Sequence, residues 1–155
     1  MLAGPRAEAA FVLRAIQHPP WPVRVEDRAP LCVVAVARGH PWVVPDHGDP
    51  VRLHAEDVVL ARGPPEPYTV TDDPDTPVEV VIHPGPRRTT PAGDKPPDDP
   101  GMGARTWHRH AAGSTTMLVG KYRNPGEISR RLLQALPPLL VIPGHALPRR
   151  AWSRC

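Results

Sequence analysis

Histidine is the residue type with the most chemistry to offer in this chain, with eight among 155 residues. His108-x-His110 has the spacing that puts two imidazoles on one side of an extended strand, the start of a metal site. Its neighbours Trp107, Arg109 and Ala111-Ala112-Gly113 point instead to a loop edge beside a positive charge, where solvated imidazoles are expected. His40, His47, His54 and His83 lie near turns or strand ends, and solvation is again the default. Ser114-Thr115-Thr116 reads as a strand start, since no G-x-S-x-G elbow surrounds it. Gly101-x-Gly103 is a lone glycine pair in a proline-rich segment, not a phosphate cradle. Asp72, Asp73, Asp75, Asp98 and Asp99 form turns without the spacing of a calcium loop. These motifs support no enzyme, and no cofactor is expected.

The elements that must position such residues are short. Proline occurs 24 times, against about 5% in average proteins. It cannot donate to a ladder and is excluded from helix interiors, so regular structure is confined to the stretches between prolines. Val51 to Val70, VRLHAEDVVLARGPPEPYTV, is the most informative stretch. Val51 and Leu53 alternate with polar residues as one face of a half-buried strand. Val58 to Leu60 forms a second strand, Gly63-Pro64-Pro65 a turn, and Tyr68 to Val70 a third strand.

The same reading makes Ala10 to Ile16 a strand, and Trp21 to Glu26 another with Trp21, Val23 and Val25 on one face. Leu31 to Ala37 is a continuous apolar run, expected to be buried on both faces. Trp42 to Val44 continues in extended form, and Asp46 to Asp49 makes a hairpin turn. Val78 to Ile82, Arg105 to Trp107 and Ser114 to Tyr122 complete about eight strands. Residues 86–103 contain almost no hydrophobic side chain and are expected to form a flexible surface loop. Asn124, Pro125 and Glu127 predict a capped helix start. The helix that follows presents Ile128, Leu132, Leu133, Ala135 and Leu136 as an apolar face, and Pro137-Pro138 ends it. Leu139 to Ile142 is a last apolar piece. The fold class is therefore all-β, a jelly-roll barrel with one short C-terminal amphipathic helix.

Composition limits the remaining classes. The chain fits one domain over residues 1–143, followed by an irregular basic tail over 144–155. Of 19 basic residues, all but Arg149, Arg150 and Arg154 lie before that tail, where 16 acidic residues balance them. This gives weak support for nucleic-acid binding. No apolar run approaches the roughly 18 residues of a membrane helix, and the N-terminus lacks a secretory core. A cytoplasmic protein with free thiols is expected: Cys32 inside an apolar run, Cys155 exposed.

Several segments together carry a resemblance. They are PPWPVRVED (Pro19 to Asp27), APLCVVAVARG (Ala29 to Gly39), WVVP (Trp42 to Pro45), PVRLHAEDVVLARGP with PYTV (Pro50 to Val70), VVIHPG (Val80 to Gly85) and GEISRRLLQALPPLLV (Gly126 to Val141). In order and spacing the chain resembles the cupin-type N-terminal domain of AraC/XylS-family transcriptional regulators. The resemblance implies a cupin barrel whose partner is a small-molecule effector or a second copy of the chain. In that family, two helix-turn-helix motifs follow. Here the sequence after Pro143 reads GHALPRRAWSRC, so the expectation is a sensor half that does not itself bind DNA.

Catalytic cupins hold a metal with histidines and a carboxylate, and the matching positions differ here. LCVVAVAR stands where the first histidines would fall, Arg38 near the glutamate position, and Tyr68 near the later histidine. A metal-dependent cupin dioxygenase or isomerase with rearranged ligands is the alternative. For a sensor, His40, Trp42, Tyr68 and His83 are the candidate ligand-binding residues, because they flank the strands expected to form a cavity mouth. Core packing or rim solvation is the competing role for each.

Overall fold

Alternating apolar and polar residues bury one face of a strand, so a chain rich in such segments must stack its sheets. The computed structural model describes residues 8–17, 20–26, 28–62, 66–84, 87–97, 99, 106–109, 115–124 and 127–146. Its strands are β1 (Glu8–Gln17), β2 (Val23–Val25), β3 (Leu31–Arg38), β4 (Trp42–Pro45), β5 (Val51–Arg52), β6 (Val58–Arg62), β7 (Tyr68–Thr71), β8 (Val80–Ile82), β9 (Arg88–Thr89), β10 (Thr106–Arg109), β11 (Thr115–Asn124) and β12 (Leu139–Ile142). Helix α1 (Glu127–Gln134) lies between β11 and β12, and a 3-10 turn covers Gly144–Ala146.

The strands form two six-stranded sheets, ordered β10-β1-β11-β3-β6-β12 and β5-β4-β7-β2-β8-β9. Pairing is antiparallel except for β1 with β10 and β2 with β8. One core joins the inward faces. Leu13, Ala15, Cys32, Val34, Val36, Val59, Ala61, Trp107 and Met117 come from the first sheet, and Val23, Val25, Val43, Tyr68, Val70 and Val80 from the second. This is the expected all-β jelly roll with one short helix. Among the described residues, no helix is long and apolar enough to cross a membrane.

Several local expectations need correction. β3 alternates between buried and half-buried residues, with Cys32, Val34 and Val36 inward, so it is not equally buried on both faces. Its outward residues lie on the outer side of the first sheet, where among the described residues no third layer of strands covers them. Val51 and Arg52 form an exposed edge pair, and Leu53 reaches the core only after the strand has ended. Residues 86–103 are not without regular structure: they supply β9, whose Arg88 and Thr89 are buried. Asn124 ends β11 rather than starting a helix, and α1 begins at Glu127. Leu132, expected on the apolar face of that helix, is 66% exposed. The proposed turn at Gly63 to Pro65 and the tail from residue 147 lie outside the described residues.

Asp57 ties the far end of the sandwich together. Its Oδ2 accepts from the His54 amide at 2.7 Å, and its Oδ1 accepts from the Gly144 amide at 2.8 Å. Glu56 beside it takes a φ of 78°, and its amide donates to the Val36 carbonyl at 2.7 Å. The chain after β12 comes so close that a Cβ on Gly144 would sit 2.6 Å from the Glu56 Cβ.

Candidate functional site: a chamber between the sheets

Period-two alternation carries three polar residues into the core along with their apolar neighbours. On β1, Leu13, Ala15 and Gln17 all face inward, and on β11 Thr115, Met117 and Lys121 do the same. Arg88 reaches the core from β9. All of these except Thr115, together with Trp21, Tyr68 and Trp107, line a cavity of about 60 Å³ between the sheets. The rest of its wall is aliphatic or sulfur-bearing, including Val23, Val25, Cys32, Val34, Val70 and Met117. Ile82 and Val119 are the lining residues that retain partial exposure, so the chamber comes nearest to solvent beside them.

Gln17 Oε1 and Trp21 Nε1, both in this wall, have no hydrogen-bond partner among the described residues. The Gln17 amide donates from Nε2 to the Trp107 carbonyl at 3.3 Å, which fixes its orientation and leaves Oε1 without a donor. Trp21 is held through its backbone, where the amide donates to Asp72 Oδ1 at 2.9 Å, but its indole Nε1–H meets no acceptor. Gln17 is 1% exposed and Trp21 is 0% exposed, so bulk water does not satisfy either atom. An unsatisfied buried polar group costs about 1–3 kcal/mol. Gln17 Oε1 and Trp21 Nε1 offer this wall an acceptor and a donor that a water molecule or a polar ligand can pair with.

Charge enters from one end. Arg88 Nη1 is 2.9 Å from Asp99 Oδ1, and both side chains are largely withdrawn from water. The Arg88 guanidinium also lies 5.1 Å from the centre of the Trp107 ring. Lys121 stands opposite Cys32 in the β11–β3 register and lines the chamber as well. The lining thus carries two cationic side chains and no carboxylate among the described residues.

Of the four residues singled out from sequence, only Tyr68 is placed in this wall. It also borders a cleft of about 540 Å³ on the outer side, lined by Pro45, His47, Arg62 and Leu139 among others. His40 is exposed, with its Nδ1 3.2 Å from Nδ1 of His54; one ring donates and the other accepts. Trp42 packs under Arg52 across the β4–β5 hairpin, with 5.6 Å from guanidinium carbon to ring centre. His83 Nε2 hydrogen-bonds Thr89 Oγ1 at 2.7 Å and so pins the β8–β9 hairpin. Placement at the ends of strands in sequence did not bring these side chains to one mouth. His110 lies outside the described residues.

Sequence reasoning missed Gln17, Trp21, Arg88 and Lys121 as site residues. For Gln17 and Lys121 the signal was present, because each shares an inward period-two face with core residues. For Arg88 there was none, since its segment reads as solvated.

An all-β jelly roll with a cavity between its sheets defines a class of binding and catalytic domains. A family model described as Cupin matches residues 1–154, and the chain belongs to the cupin family. No curated protein matches it.

Proposed function

We propose that this cupin domain senses a small molecule as the regulatory domain of an AraC-type transcriptional regulator in the cytoplasm, and that it is not an enzyme. The chamber is the observation that carries this reading. Its wall is mainly aliphatic and aromatic, with Gln17 Oε1 and Trp21 Nε1 among its few polar atoms, the composition expected of a small-molecule site. The regulatory assignment draws on the segments that resemble AraC-type sensor domains. Sensing is favoured over catalysis by the lining, to which no histidine or carboxylate contributes among the described residues.

A thermal-shift screen over broad chemical classes tests the reading. A ligand present at 100 times its dissociation constant stabilises the native state by about 2.7 kcal/mol, a readily measured shift. Saturable stabilisation with a change in tryptophan emission is expected, because Trp21 and Trp107 line the chamber. Failure of every class to stabilise the protein would overturn it, as would stoichiometric bound metal that is lost on His→Ala substitution.

A role in pairing two copies has one specific observation behind it, the exposure of Leu132 on α1. Light scattering compares wild type with Leu132→Asp. A clean monomer for both excludes pairing through this face.

A further inference from the structure

We propose that His40 and His54 form a surface site for a late first-row divalent cation, copper(II) before nickel(II) or zinc(II). Their Nδ1 atoms lie 3.2 Å apart. Two facing lone pairs repel, so something positive must lie between them. A proton held by one ring serves when the pair hydrogen-bonds. A metal ion serves equally, and the spacing matches its geometry. With metal–nitrogen bonds of about 2.0–2.1 Å, a span of 3.2 Å subtends about 100° at the ion. That lies between the right angle of square-planar and octahedral centres and the tetrahedral angle.

The frame behind the rings is fixed before any ion arrives. His40 lies where the chain crosses from β3 in the first sheet to β4 in the second, and His54 where it returns from β5 to β6. Pro41 and Leu53, next to them in the chain, are fully buried, and the Leu53 amide donates to the Pro41 carbonyl at 2.7 Å. The His54 amide is held in turn by Asp57 Oδ2. Little backbone freedom is therefore left to lose on binding. Both residues are exposed, so water can complete the coordination shell.

Donor type selects the ion. Imidazole suits copper, nickel and zinc, whereas magnesium prefers oxygen, and affinity along the series peaks at copper. Among the described residues, no group of three His, Cys, Asp or Glu side chains could hold a metal ion. With two protein ligands and water for the rest, the ion exchanges with the buffer. As it binds, the proton on one Nδ1 moves to Nε2 of the same ring, so both Nδ1 lone pairs reach the metal and no net proton is released.

The test uses the full chain without an affinity tag, stripped with EDTA and dialysed. Copper(II), nickel(II), zinc(II) and magnesium chlorides are titrated by calorimetry and thermal shift. Copper is expected to bind most tightly and magnesium to have no effect. His40→Gln and His54→Gln should each weaken copper binding at least tenfold, while His47→Gln leaves it unchanged. In the wild-type proton NMR spectrum, substoichiometric copper should broaden the His40 and His54 ring signals before that of His47. Wild-type affinity in either His40→Gln or His54→Gln would overturn the site, as would broadening that reaches His47 first. The NMR result decides the matter even where a variant fails to fold. Metal that EDTA removes and titration restores is distinct from metal retained through purification, so a positive result leaves the sensing role standing.

Discussion

The guanidinium of Arg88 lies 5.1 Å from the centre of the Trp107 ring, and this contact joins the edge strands of two different sheets. Arg88 belongs to β9, at one margin of the second sheet, and Trp107 to β10, at a margin of the first. Asp99 completes the arrangement at 2.9 Å. The wall of the chamber is therefore held at this end by a cation with almost no access to water.

Asp99→Ala should destabilise the protein by about 3 kcal/mol, because it removes the carboxylate from a buried guanidinium. The double variant Arg88→Met with Asp99→Ala should recover much of that loss, since no charge is then stranded. Urea denaturation of the two proteins measures the difference. A double variant less stable than Asp99→Ala would mean that Arg88 is held mainly by something other than Asp99.

Trp21→Phe separates ligand recognition from folding. It removes an indole N–H without a partner among the described residues, and leaves a small void in its place. The two effects oppose each other, so the change in ligand-free stability should stay within about 1 kcal/mol. Ligand-dependent stabilisation should fall sharply. A loss of about 3 kcal/mol without ligand would show that the N–H already serves the fold.

Gly144→Ala should cost about 1–3 kcal/mol, the range for forcing extra atoms into a packed site. The added Cβ meets both the Glu56 Cβ, at 2.6 Å, and the Glu56 backbone, at 3.0 Å. Glu56 already holds a positive φ, so it has little room to yield. Chemical denaturation that finds the variant as stable as wild type would contradict this crowding.

Arg24 clamps Asp46 through two hydrogen bonds of 2.8 Å, from Nη1 and Nη2. The bonded guanidinium holds the Asp46 carboxyl below its ordinary value, while the Arg24 pKa is raised by its bonds to Asp46 and then to Glu26. A carboxyl whose folded value is depressed stabilises the fold fully above its unfolded value, near pH 4, and loses that contribution as pH falls through the folded value. Both partners are about 30% exposed, so solvent reduces the effect to at most about 1 kcal/mol. Asp46→Asn should thus be slightly less stable than wild type at pH 7, and the two stability curves should converge in strong acid. A constant gap down to pH 2 would assign the effect to packing instead of charge.

The sequence by itself determined that the chain is all-β and which residues turn inward around β2. Alternation is local and follows from the pleat, so Val23 and Val25 on β2 could be read directly. The same pleat carries Gln17 and Lys121 inward in the structure, but their polarity kept them out of the sequence reading. Tertiary structure alone decided which strands meet. β1 lies parallel to β10 about ninety residues away, and β9 arises in a segment whose composition reads as solvated loop. Burial of Arg88 depends on Asp99 and Trp107 arriving from other parts of the chain, and local pattern carries no information about such partners. The chamber has the same origin: its volume is what remains when two sheets pack at a spacing no single strand specifies.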